Sequence, residues 1–160
     1  MIKILLLSTM LFAAREHGAH VHGAGKVSVA FDGKNGKIEL HVPAEAIMGF
    51  EHQAKTKADK QKKEKALAKL EEKIAEMIVL DPALKCAIKK DIFEVNQQDS
   101  HAEIEAEFNV TCATPVAGST ITFNFTKQFS RLKKVQVDVL ADGVQKSLQV
   151  QKNGDSVELK

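Results

Sequence analysis

The segment His101-Ala102-Glu103-Ile104-Glu105-Ala106-Glu107-Phe108-Asn109-Val110-Thr111-Cys112 alternates without a break. Ala102, Ile104, Ala106, Phe108, Val110 and Cys112 share one parity; His101, Glu103, Glu105, Glu107 and Asn109 share the other. Successive strand side chains point to opposite faces, so this is a strand with one apolar face and one acidic face. A sheet that covers a core on one side and meets water on the other is the antiparallel habit. Residues 84–97 precede this strand across the short link Gln98-Asp99-Ser100. Pairing about Asp99 sets Cys86 directly opposite Cys112. Opposed residues lie about 4.5–5.5 Å apart at Cβ, close to what a disulfide needs. The hydrophobic phase fits this register near Cys86 and Ile88 and slips around Ile92-Phe93, which predicts a bulge there. The other readings of the two cysteines are buried thiols or a two-sulfur metal site. Their separation is too wide for a zinc knuckle, and no Cys-x-x-Cys occurs.

The same alternation recurs outward from this strand. Val27, Val29 and Phe31 are followed by Ile38, Leu40 and Val42, with the turn signal Asp32-Gly33-Lys34-Asn35-Gly36 between them. This predicts a hairpin with His41 on its polar face. Pro43 ends it, and Ile47, Met48 and Phe50 then follow at near-helical spacing, interrupted by Gly49. Thr56-Lys57-Ala58-Asp59 resembles a capping box. Behind it, Leu67, Leu70, Ile74, Met77 and Ile78 make an apolar stripe in steps of three and four, and Asp81-Pro82 stops it. The lysines of this helix are interspersed with Asp59, Glu64, Glu71, Glu72 and Glu76, the pattern of a solvated face. Ile121, Phe123 and Phe125 predict a strand, and Val135, Val137 and Val139 the next. Asp142-Gly143 turns into residues 144–150, and Asn153-Gly154 turns into Val157 and Leu159. The expected fold is α+β: a mainly antiparallel, sandwich-like sheet domain with a two-helix insertion after the first hairpin.

A chain of 160 residues is the size of one domain. Its net charge of +2 implies no polyanionic partner. Tryptophan and tyrosine are absent, which argues against sugar or single-stranded nucleic-acid binding through aromatic platforms. Residues 1–14 read as a secretory signal: Lys3 supplies the basic start, and residues 4–12 form an apolar stretch too short to span a bilayer. The remaining 15–160 form the expected single exported domain. No cysteine lies in the leader to carry a lipid anchor, so a periplasmic protein without a stable membrane anchor is expected.

The candidate chemistry lies at the start of the exported part, in Arg15-Glu16-His17-Gly18-Ala19-His20-Val21-His22-Gly23. Three of the six histidines fall there. Imidazole is the commonest transition-metal ligand at neutral pH. In an extended His20-Val21-His22 both rings face one side, and the small Gly18 and Ala19 allow His17 to turn to the same point. Zinc accepts nitrogen ligands in a tetrahedron at roughly 2.0–2.1 Å, so His17, His20 and His22 would fill three corners. His101, beside a turn, completes the shell or forms a second site with Asp99. His52 is a further candidate whose plain alternative is a helix-end histidine. A cut after Ala14 would expose Arg15-Glu16-His17 at a free amine, whose nitrogens suit square-planar Cu(II) or Ni(II). There is no His-Glu-x-x-His, and no other catalytic histidine pattern, which favours holding a metal over using one.

The histidine-bearing stretch, together with Pro43-Ala44-Glu45 and Gly49-Phe50-Glu51-His52, resembles the ZrgA-like periplasmic zinc-binding proteins of Gram-negative bacteria. The likeness continues through Pro82-Ala83-Leu84-Lys85-Cys86, His101-Ala102-Glu103, Thr111-Cys112-Ala113 and Phe129-Ser130-Arg131-Leu132. It implies a zinc-regulated protein assisting zinc acquisition, with zinc and a zinc ABC transporter component as partners. Two departures stand out. The long histidine- and aspartate-rich insertion of many relatives is absent. Their His-Ser-Asp-x-His segment reads Gln97-Gln98-Asp99-Ser100-His101 here, so Gln97 replaces the first histidine.

Three functions compete on this reading. A zinc carrier or buffer fits the histidines and nearby carboxylates. A metal-independent envelope interaction or assembly protein would work through edge strands and the lysine-rich helix. A metallohydrolase ranks last, because no base for activating water is recognisable.

Overall fold

The computed structural model describes residues 23–160. The leader at 1–14 and the ligand candidates His17, His20 and His22 lie outside the described residues. Among the described residues, two sheets are built from nine strands: β1 (Ala24–Asp32), β2 (Asn35–Pro43), β3 (Ile78–Leu80), β4 (Ala87–Gln98), β5 (His101–Thr111), β6 (Thr120–Phe123), β7 (Lys134–Ala141), β8 (Val144–Val150) and β9 (Asp155–Glu158). Three α-helices accompany them among the same described residues: α1 (Ala44–Met48), α2 (Lys57–Met77) and α3 (Phe125–Gln128). The larger sheet has the order β4-β5-β2-β1-β7-β8, and the smaller β3-β6-β9.

Period-two patterning sets the larger sheet. Val27, Val29, Phe31, Ile38, Leu40, Val42, Ile104, Phe108, Val110, Val135, Val137 and Val139 are buried. They form one core with Leu70, Ile74 and Met77 of α2 and with Ile121, Phe123 and Phe125 beyond it. The helix stripe and the small sheet thus cover the inner face of the large sheet, and its outer face meets water. This is the expected α+β architecture, with the two helices α1 and α2 inserted after the β1–β2 hairpin. One pair breaks the antiparallel rule: β1 runs parallel to β7, with Val27 beside Val137.

The β4–β5 hairpin follows the predicted register closely. Ala87 faces Thr111 and Lys90 faces Phe108; the register then shifts by one between Lys90 and Phe93, and Gln98 faces His101. The bulge falls at Asp91-Ile92, where the hydrophobic phase slips. Asp99 and Ser100 form the turn, with Asp99 at a positive φ of 48°. Cys86 and Cys112, continuing the register beyond Ala87 and Thr111, are joined by a disulfide.

Four details differ from the sequence reading. The strand expected from residue 84 begins at Ala87, because Pro82–Leu84 form a 3₁₀ turn capped by Asp81 and closed by Lys85 in the left-handed region. Helix α2 ends at Met77, before Asp81-Pro82, because Ile78 and Val79 pair with Phe123 and Thr122 of β6. β-Branched residues fit a pleated surface better than a helix turn. Phe125 belongs to α3 rather than to a strand, although its ring stacks at 5.8 Å on Phe123 and both are buried. After Asn153-Gly154 the chain does not return along β8. Strand β9 pairs with β6 in the other sheet, Val157 facing Ile121, so the turn switches sheets and places Val157 and Leu159 in the core.

Candidate functional site

The ends of four strands meet at one edge of the large sheet. Lys26 faces His41 across β1–β2, Pro43 faces Glu103 across β2–β5, and Gln98 faces His101 across β4–β5. The described chain enters β1 at this same edge, at Gly23 and Ala24. Gly23 is fixed there: its carbonyl accepts from the amides of Lys133 and Lys134 at 3.0 and 3.1 Å. Its φ is 76°, and a Cβ would lie 2.8 Å from the Arg131 carbonyl oxygen, so a side chain is excluded on two grounds.

The segment after α1 folds over this edge. Pro43 starts α1, and Gly49 ends it in the left-handed region at φ 84°. The chain then reverses through Phe50, Glu51 and His52. Glu51 Oε2 lies 2.8 Å from His101 Nδ1. The Glu51 side chain is 13% exposed, and that of His101 48%. The Gln97 side-chain amide donates to the Glu51 carbonyl at 2.9 Å and to the His101 carbonyl at 3.0 Å, with the Asp99 carbonyl at 3.3 Å. Gln97 therefore ties the Glu51 loop to the β4–β5 turn, in the position where the resemblance expected a histidine.

This geometry orients the His101 ring. A carboxylate accepts only, so Nδ1 carries the proton, and in the neutral ring Nε2 is left with the lone pair. A carboxylate behind a ring nitrogen is the usual outer support of a metal-ligating histidine. Glu51 escaped the sequence reading because fifty residues separate it from His101. It stood only as a neighbour of His52 in the Gly49-Phe50-Glu51-His52 motif.

His52 is turned to another task. Its Nε2 lies 3.6 Å from Asp59 Oδ2, and its ring packs against Phe50 at 4.7 Å. Thr56 caps α2 by accepting from the Asp59 amide at 3.1 Å, and its hydroxyl donates to the Asp59 carboxylate at 2.7 Å. That hydroxyl bond, aided by the backbone of Thr56 and by His52, holds the Asp59 carboxyl below its ordinary range against the opposing effect of desolvation. His41 lies on the outer face as expected, 3.7 Å from Glu105 on the neighbouring strand.

The structure thus brings His101 and Glu51 together, and sets Asp99 at the turn beside them. Among the described residues, no group of three or more His, Cys, Asp or Glu side chains is disposed to hold a metal ion. Among them, too, no helix is long and apolar enough to cross a membrane.

Against known proteins, the model of the ZrgA family zinc uptake protein matches residues 19–159. No curated protein matches the chain significantly.

Proposed function

Because the chain belongs to the ZrgA family of zinc uptake proteins, we propose that it is a periplasmic zinc-binding protein whose ion is held between the N-terminal histidines and His101. The observation that carries this reading is the 2.8 Å pair of His101 Nδ1 and Glu51, at the sheet edge where the chain enters β1. In the proposed site Glu51 supports the ring from behind and His101 directs Nε2 to zinc.

Reach supports the assembly. Strands β1 and β5 are separated by two strand spacings, roughly 9.6 Å, with β2 between them. An extended chain covers roughly 3.3–3.6 Å per residue, so His20, three residues ahead of the anchored Gly23, has about 10 Å of backbone reach, whereas His22, one residue ahead, has about 3.5 Å and relies on its side chain. His20, His22 and His101 would supply three nitrogens, with His17 or the Asp99 carboxylate as the fourth ligand. A set of neutral imidazoles and at most one carboxylate suits zinc. The ion is cargo: the protein holds it and passes it on, with a zinc ABC transporter component as the receiving partner, and turns over no substrate. Acidification would release the ion, since a protonated imidazole cannot donate its lone pair.

Elemental analysis tests this reading directly. Protein recovered from the periplasm of its host without an affinity tag should carry zinc in a fixed ratio to the chain. Metal-free protein that takes up no zinc on dialysis would refute it.

A further inference from the structure

The lysines of α2 are unevenly spread. Lys57, Lys60, Lys62, Lys63, Lys65 and Lys69 crowd its N-terminal part against only Asp59 and Glu64, whereas Glu71, Glu72 and Glu76 accompany Lys73 near its end. The positive end of the helix dipole lies at the N-terminus, where cations are disfavoured. Lys57 and Lys60, in the first turn, therefore gain nothing from the dipole.

Part of the cluster lines a groove of about 420 Å³ between α1, α2 and the segment after α3. Its apolar lining comes from Ala46, Ile47, Met48, Ala66 and Phe129, and its exposed cations are Lys62, Lys65, Lys69 and Arg131. Arg131 is neutralised by Glu45 at 2.9 Å. Lys69 donates to the Gln128 carbonyl at 2.7 Å and lies 4.8 Å over the Phe129 ring, so its charge is fixed in place but not cancelled. Lys62 and Lys65, one helical turn apart, form no ion pair among the described residues. The groove is open and of mixed lining; it sets Ile47, Met48 and Phe129 beside three positive charges along one helix face, none of them in an ion pair among the described residues.

We propose that this groove docks an acidic segment of another protein, with an apolar side chain seated among Ile47, Met48 and Phe129 and carboxylates set against Lys62, Lys65 and Lys69. Charge complementarity selects an anionic partner, and the apolar residues interleaved with the cations select a peptide that carries apolar side chains between its carboxylates. A lipid surface would meet the cations without needing the cavity. The proposal does not depend on metal binding.

Fluorescence anisotropy with a labelled peptide of Glu, Asp and Leu, titrated with the full exported chain, tests it. Saturable binding is expected. It should weaken about tenfold or more in Lys62→Glu plus Lys65→Glu, and comparably when Ser replaces the peptide's leucines. Met48→Gln should also weaken it, and raised salt should reduce it. All three positions are exposed or half-buried, so unchanged circular dichroism is expected and separates docking from folding. Absence of peptide binding would overturn the proposal, as would equal binding by the charge-reversed chain or by the serine peptide. So would binding to phosphatidylglycerol vesicles, lost on charge reversal, in a chain that ignores the peptide. Concentration-dependent self-association through the same lysines, without peptide binding, would overturn it too.

Discussion

His101 Nδ1 and Glu51 Oε2 stand 2.8 Å apart although fifty residues separate them in sequence. The contact exists because Gly49 ends α1 in the left-handed region and the β4–β5 turn delivers His101 to the same sheet edge. Replacing Glu51 by Gln keeps the shape of the side chain and removes its negative charge. Zinc affinity should fall about 10–100-fold, the usual cost of losing an outer carboxylate partner. Competition against a chromophoric chelator measures this. An unchanged affinity with an intact fold would separate Glu51 from the site.

Gln97 stands where the resemblance implies a histidine, and its amide bridges the carbonyls of Glu51 and His101. Gln97→His should add an imidazole beside His101 and tighten zinc binding, or add a second equivalent in calorimetry. Stability should fall by about 1 kcal/mol for the lost amide hydrogen bonds. A variant that only loses stability, with zinc stoichiometry and affinity unchanged, would show that the turn is too far from the ion.

The disulfide between Cys86 and Cys112 closes a sequence separation of 26 residues. In the chain-entropy model such a loop contributes about 3–4 kcal/mol. Cys86→Ala plus Cys112→Ala should lower stability by that amount in urea denaturation. At temperatures where the variant stays folded, its zinc binding should match that of the parent. Unreduced peptide mapping should recover the two cysteines as one linked pair.

The start of α2 predicts a pH dependence. Asp59 titrates below its ordinary value, chiefly because the Thr56 hydroxyl donates to it. A carboxyl depressed in the folded state contributes stability above its unfolded pKa, about 3.9. That contribution is lost as pH falls through the lower folded value. Asp59→Asn should therefore be less stable than the parent at neutral pH and converge on it as pH falls through that lower folded value. Thr56→Ala removes the cap itself and should cost about 1 kcal/mol at neutral pH. Urea midpoints across pH check both.

The sheet was legible because period two is a strong signal wherever one face is buried. Val27 to Val42 and Ala102 to Cys112 fixed both hairpins, and the phase slip at Ile92-Phe93 located the bulge. Three features were not legible. The parallel β1–β7 pair joins residues more than a hundred positions apart with no local mark. Ile78 and Val79 continue the helical stripe in sequence and leave it only because β6 offers them a partner. Asn153-Gly154 announces a turn but not which strand receives the chain, and β9 joins β6 rather than β8. The site divides the same way. The place of His101 beside the turn, at the head of the acidic face, singled it out in the sequence, whereas Glu51 and the engagement of His52 with Asp59 depend on how the loop after α1 folds back.

Zinc calorimetry on the untagged exported chain tests the central claim most directly, comparing the parent with His20→Ala plus His22→Ala and with His101→Ala. The account predicts a high-affinity site in the parent that is lost in the double variant and weakened at least tenfold in His101→Ala, because all three rings hold one ion. Retention of the parent affinity in the double variant would contradict it, as would its retention in His101→Ala.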